Sequence, residues 1–185
     1  FTLMVALLRD GESVASWIFA PLRAELAVAE RGAGAFCDGQ RLKTASGAVG
    51  GSNLRGRIVA TTLPEHLDRR LRVRAQEIAE VAPSVGSAGS EYVALARRAY
   101  HFSLYGRASP WAHAAGVLLL NEAGGHAARW DGAPYRVWDE QAGLIAAGNA
   151  ELWDDVEHTL LSGRGLPAKR LRHRLWAEEA RARDP

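Results

Sequence analysis

At 185 residues, 48% of them hydrophobic and 24% charged, the chain is long enough for one domain with its own core and has an ordinary globular composition. No apolar run approaches the ~18 residues of a membrane span, no charged-then-apolar opening reads as a signal peptide, and a lone cysteine, Cys37, excludes an internal disulfide, so a cytoplasmic setting with no membrane partner is expected. Residues 1–162 carry 16 Lys/Arg against 18 Asp/Glu and residues 163–185 carry 7 against 3, so the basic excess belongs to the tail and nothing in the body favours nucleic acid.

The chain opens on Phe1-Thr2-Leu3-Met4-Val5, mid-strand in character and without an initiator Met, which suggests a start inside a longer protein. Phe1–Leu8 and Ser13–Phe19 flank Asp10-Gly11, a pair that tolerates positive φ and so predicts a hairpin. A third strand is expected over Glu25–Glu30 and a small hairpin around Asp38-Gly39, followed by a Gly/Ser/Ala-rich loop over Thr44–Asn53. Arg57–Thr61 reads as a short buried strand, and Leu67, Leu71, Ala75 and Ile78 mark a helix at roughly 3.6-residue spacing.

Farther along, Val81–Val85 is expected to return to the sheet, Ser90–Arg98 to form a short helix and Tyr100–Leu104 a strand. Ser109-Pro110 predicts a helix start. The helix it opens, Pro110–Ala123, is apolar around most of its circumference and should be buried, with Trp111 anchored in the core and Gly124-Gly125 ending it. His126–Trp130 and Ala142–Ala147 are strands across an Asp131-Gly132-Ala133-Pro134 turn, and Asn149 caps a last helix running through Leu161. Strands first, then strands alternating with helices, imply a layered α/β (α+β) sandwich over residues 1–162, with 163–185 a basic extension that is expected to be a solvated tail. Lys169, Arg170, Arg172 and Arg174 beside Trp176 admit a nucleic-acid reading, which Glu178, Glu179 and Asp184 dilute; nucleic-acid binding is not expected.

Four segments carry more than local structure. Gly32-Ala33-Gly34-Ala35-Phe36-Cys37-Asp38-Gly39-Gln40-Arg41-Leu42, Gly86-Ser87-Ala88, Pro110-Trp111-Ala112-His113-Ala114-Ala115-Gly116 and Glu122-Ala123-Gly124-Gly125 follow one another in this order. The first resembles the G-x-G-A-F-x-N-G-x-x-L hairpin of the inositol monophosphatase family, the second its small-residue turn beside the substrate, and the third and fourth the W-D-x-A-A/G and E-A-G-G ends of one helix. The resemblance covers nearly the whole chain apart from the tail and is to the C-terminal half of the family's αβαβα fold.

That resemblance implies Mg²⁺-dependent hydrolysis of a small phosphate monoester of the inositol or sugar phosphate type, in a homo-oligomeric protein. Carboxylates there hold metal ions that neutralise the phosphate and position a water, because a phosphate dianion otherwise repels hydroxide. It implies substrate contacts at Gly86, Ser87 and Ala88, and at Tyr105, which stands where many members carry a Glu that binds substrate hydroxyls. Two departures matter. The family's Glu-Glu pair and D-P-x-D-G-T segment lie N-terminal to the equivalent of Phe1, and Ala112 occupies the position of a metal-ligating Asp. A methyl group cannot coordinate a hard cation. The parent protein is therefore expected to be a phosphatase with Mg²⁺ as cofactor, while this chain holds no complete catalytic set and should be inactive. The alternative is a non-catalytic binding or dimerisation module derived from that family.

Read from the residues alone, Gly86–Ser90 is a loop between strand and helix, and Tyr105 a half-buried aromatic at a strand end. It is not a P-loop, because no Gly-Lys-Ser/Thr occurs. Glu91 reads as a charge placed to suit a helix dipole, and His113, next to the lost ligand position, as a structural or surface residue rather than a ligand, since Mg²⁺ prefers oxygen.

Overall fold

The computed structural model describes residues 1–44, 46–63, 71–138 and 143–162. The first sheet is an antiparallel meander of β1 (Leu3–Arg9), β2 (Glu12–Ala20), β3 (Glu25–Glu30), β4 (Gly34–Cys37) and β5 (Gln40–Arg41), in that order. Its turns follow the chemistry read in the sequence. Asp10 and Gly11 have φ of 51° and 79°, and Asp38 and Gly39 have 48° and 78°. Two consecutive positive φ values match the right-handed twist of the flanking strands.

The second sheet comprises β6 (Arg55–Val59), β7 (Glu80–Ala82), β8 (Phe102–Tyr105), β9 (His126–Arg129) and β10 (Leu144–Ala147), in the order β7-β6-β8-β10-β9. It is mixed: β6 runs parallel to β7 and β8, and β10 antiparallel to β8 and β9. The strands expected at Arg57–Thr61, Tyr100–Leu104, His126–Trp130 and Ala142–Ala147 correspond to β6, β8, β9 and β10, although Ala60–Thr62 is a 3₁₀ turn and Ala142 lies outside the described residues. The helix expected over Leu67–Ile78 falls partly outside the described residues; 71–74 are helical, a 3₁₀ turn follows at Ala75–Glu77, and Leu71 and Ile78 are buried.

Two helices, α1 (Ala88–Ala96) and α2 (Pro110–Glu122), lie between the sheets. Their apolar residues join Ile18, Ala27, Ala29 and Ala35 of the first sheet to Tyr105, Ala127, Leu144 and Ala146 of the second in one core. The other face of the second sheet, with Phe102, Leu104, Ile145 and Ala147, packs on α3 (Ala150–Val156) through Leu152, Trp153 and Val156. Residues 144–147 alternate between these two cores, as a strand buried on both faces must. Asn149 caps α3 as expected, its Oδ1 accepting from the Leu152 N–H at 2.8 Å.

Burial on all sides of α2 requires close approach of its neighbours. A Cβ at Gly116 would meet the Tyr92 ring of α1 at 2.0 Å, so only hydrogen fits at that crossing. The helix ends where Gly124 takes φ 91° and the Gly125 N–H bonds back to the Leu120 carbonyl at 2.8 Å. Ser109 occupies the N-cap position through its carbonyl, which accepts from Ala112 and His113; its hydroxyl makes no capping bond.

One expectation is corrected here. Trp111 is not a core anchor: it is 73% exposed, on the outward side of the first turn of α2, although Ala108 and Ser109 just before it are buried. The outer face of the first sheet is also apolar and exposed, with Leu3, Phe19 and Leu26 in one cross-strand row and Val5 and Trp17 in the next. Among the described residues no helix is long and apolar enough to cross a membrane. The tail, residues 163–185, and the nucleic-acid reading attached to it lie outside the described residues.

Candidate active site

The turn Gly86-Ser87-Ala88 sits where β7 hands over to α1. Gly86 has φ 69°, a left-handed conformation that suits glycine, and Ser87 in extended conformation is the N-cap residue of α1. The Ser87 carbonyl accepts the Glu91 N–H at 3.1 Å and starts the helix. The amides of the first turn have no intrahelical acceptor and carry the positive end of the helix dipole, the arrangement that suits a phosphate oxygen. The Ser87 hydroxyl does not cap the helix. It meets the hydroxyls of Thr2 and Ser90 at 3.1 and 3.2 Å, so three hydroxyls gather beside those amides. Gly89 lets the helix come this close, since a Cβ there would meet Thr2 Oγ1 at 2.4 Å.

Beneath the turn lies a buried polar cluster that the sequence reading did not foresee. Glu91 stands in the first turn of α1, as the dipole reading had it, but it is 1% exposed and bonded within the fold. Its Oε1 accepts from the Ser84 hydroxyl at 2.7 Å and the Val85 N–H at 3.1 Å, and its Oε2 from the Tyr105 hydroxyl at 3.0 Å. Tyr105 itself is 3% exposed. Its hydroxyl is spent on Glu91 and its ring is packed between Tyr92 and His113, at 6.0 and 4.6 Å between centroids. It is therefore not available to meet a substrate hydroxyl, and burial, with the phenol of Tyr92 and the charge of Glu91 adding to it, pushes its ionisation well above the usual tyrosine range. The signal that could have revealed the cluster is the run Glu91-Tyr92-Val93 with Leu95-Ala96, which places a carboxylate on an otherwise apolar helix face.

His113 belongs to the same cluster. It is buried, its Nδ1 lies 2.9 Å from the Tyr92 hydroxyl, and desolvation lowers its pKa from the ordinary 6.5 to about 4, against a small opposing pull from the Arg107 carbonyl. It is a neutral core histidine, the structural rather than the surface residue of the two expected.

These residues do not fit a magnesium ion. Ala112, in the first turn of α2, offers a methyl group. Glu91 has both carboxylate oxygens engaged within the fold, and a buried imidazole bonded to Tyr92 is a poor ligand for a hard cation. Among the described residues Glu25, Cys37 and Asp38 cluster with ligand atoms within 4.8 Å of one another, at the hairpin end of the first sheet. That space is taken: Arg97 pairs with Glu25 and donates to the Cys37 sulfur at 3.3 Å, and Asp38 accepts from the Leu26 N–H at 3.0 Å. Burial raises the Cys37 pKa, against the thiolate a metal would require. A separate open cleft of about 850 Å³ lies at the far end of α2, where Arg41, Lys43 and Arg98 face Glu122 and Glu151.

Residues 1–163 match the family model described as the inositol monophosphatase family. The chain belongs to this family. It is 32% identical over 177 residues to an inositol-1-monophosphatase of Rhizobium meliloti, covering 91% of this chain and 62% of that protein. It is 29% identical over 184 residues to the Nus factor SuhB of Xylella fastidiosa, covering 92% and 65%. Among solved structures, inositol monophosphatase II from Staphylococcus aureus superposes with a TM-score of 0.78 at 20% identity, over 100% of this chain and 66% of that one. The suhB extragenic suppressor protein of Bartonella henselae gives 0.75 at 24% identity, over 88% and 63%. The chain thus spans less than two thirds of the length of the curated relatives it matches.

Proposed function

We propose that this family chain supplies the substrate side of a magnesium-dependent phosphate monoester hydrolase, and that the carboxylates that hold the metal come from outside these 185 residues. The observation that carries this reading is the first turn of α1, where free amides and the hydroxyls of Thr2, Ser87 and Ser90 converge at Gly86-Ser87-Ala88. Such a surface binds the oxygens of a small phosphorylated metabolite by directed hydrogen bonds and a favourable dipole. The relatives named inositol-1-monophosphatase support a polyol or sugar phosphate as the substrate class.

The 185-residue chain alone is then inactive, because nothing at α2 replaces the missing ligand. The test is a chimaera in which a family member's Glu-Glu and D-P-x-D-G-T region is joined ahead of this chain, with and without Ala112→Asp. The third residue of a helix aims a carboxylate out of its N-terminus, and alanine there keeps the helix while deleting the ligand. Ala112→Asp is expected to raise Mg²⁺ affinity and turnover together by at least roughly 10–100-fold, the loss that removing even an outer-shell partner of a metal ligand causes in affinity or activity. Turnover by the bare chain, or a chimaera indifferent to the substitution, would overturn the proposal. A second reading, a non-catalytic binding or dimerisation module, is favoured by the same Ala112, and some relatives carry the name Nus factor SuhB rather than that of a phosphatase.

A further inference from the structure

The turn at residues 84–88 has no secondary-structure ladder of its own, since β7 ends at Ala82 and α1 begins at Ala88. What fixes it is a side chain from the helix it leads into. Glu91 reaches back under the turn and accepts from the Val85 N–H and the Ser84 hydroxyl with one oxygen. Ser84 Oγ in turn accepts the Gly86 N–H at 3.1 Å. The second oxygen holds the Tyr105 hydroxyl at the end of β8, from which the chain continues toward the start of α2. The main chain of Glu91 is held as well, its carbonyl accepting from the Tyr100 hydroxyl at 2.8 Å. One buried residue therefore ties together the turn, the strand end that leads toward α2 and the base of α1.

We propose that Glu91 is the positioning residue of the phosphate-binding turn: through Ser84 and Val85 it presets the backbone at Gly86 and Ser87 so that the turn meets an anion without rearranging. This rests on the substrate role proposed for Gly86-Ser87-Ala88. A carboxylate suits the task because it only accepts, and every group around it, two hydroxyls and an amide, has a hydrogen to give. A turn built this way spends little of its binding energy on ordering itself.

The test uses the 185-residue chain and inorganic phosphate, followed by amide NMR, with hydrogen exchange read at Val85 and Gly86. Glu91→Leu leaves the Val85 amide and two hydroxyls without their acceptor. It is expected to speed exchange at Val85 and Gly86 and to weaken phosphate binding by about tenfold, the loss of one good hydrogen bond's worth of order. Glu91→Gln keeps an accepting oxygen and should restore binding to within about threefold of the native chain. Should Glu91→Leu fail to fold, Ser84→Ala serves: it removes the acceptor of the Gly86 amide and one of the three donors to Glu91, while the Val85 amide and the Tyr105 hydroxyl keep theirs; it should speed exchange at Gly86 more than at Val85 and weaken binding in a chain that still folds. Exchange at Val85 and Gly86 unchanged in Glu91→Leu, or native phosphate affinity in Ser84→Ala despite a freed Gly86 amide, overturns the positioning role. Phosphate that leaves the Gly86–Ala88 amides of the native chain undisturbed overturns both it and the substrate reading beneath it, while the exchange data still report whether Glu91 orders the turn.

Discussion

Lowering the pH from 7.5 to 4.5 is expected to cost the chain about 2–3 kcal/mol of stability through His113 alone. In the folded chain this ring is buried against Tyr92 and Tyr105 and its pKa is about 4, whereas the unfolded chain titrates near the ordinary 6.5. Between those values the unfolded state binds a proton that the folded state refuses. Stability from this residue is complete above about pH 6.5, falls as the pH drops through the window, and reaches its floor below about pH 4. Carboxylates contribute to acid unfolding as well, so the decisive quantity is a difference. His113→Gln retains an acceptor for the Tyr92 hydroxyl but does not titrate. Urea midpoints at pH 7.5, 6.5, 5.5 and 4.5 should decline less steeply for the variant than for the native chain. Equal slopes would contradict the account of His113 as a neutral core residue.

Gly116→Val is expected to destabilise the chain by about 3 kcal/mol, the upper part of the range for overpacking a closed core. The added Cβ would lie 2.0–2.4 Å from three atoms of the Tyr92 ring, which is itself fully buried. Either the ring moves, breaking its bond to His113, or α1 and α2 separate. Gly116→Ala gives the sharper sign. Helix propensity alone favours alanine by about 1 kcal/mol, so a net loss measured by denaturant unfolding shows that the crossing decides. A stabilised alanine variant would mean that the helices have room to adjust.

Much of this architecture was legible in the residues. The positive-φ pairs Asp10-Gly11 and Asp38-Gly39 located both hairpins, Gly124-Gly125 the end of α2, and Asn149 the start of α3, because each is a local device whose chemistry is complete within a few residues. The misses share a different cause. Glu91 was read only as a charge suiting a helix dipole and Tyr105 as a substrate contact, yet they satisfy each other across fourteen residues of chain, and Ser84 completes the set from seven residues upstream. Local patterning has no term for a buried carboxylate whose partners arrive from a strand and a turn. Trp111 failed for a geometric reason: the apolar character of α2 was right, but which side of its first turn faces solvent is a property of the surrounding layers. Gly86-Ser87-Ala88 was singled out by resemblance, and its neighbouring hydroxyls became visible only once Thr2 was brought beside Ser87 from eighty-five residues away.

The central claim is that this chain carries the substrate side of the site, and amide chemical-shift mapping with a small polyol phosphate monoester tests it most directly. The account predicts shifts concentrated at Gly86, Ser87, Ala88 and the first turn of α1, saturable and shared with inorganic phosphate, with Tyr105 reporting only through Glu91. Shifts absent from that turn, or gathered instead at the Arg41, Lys43 and Arg98 cleft at the far end of α2, would contradict it.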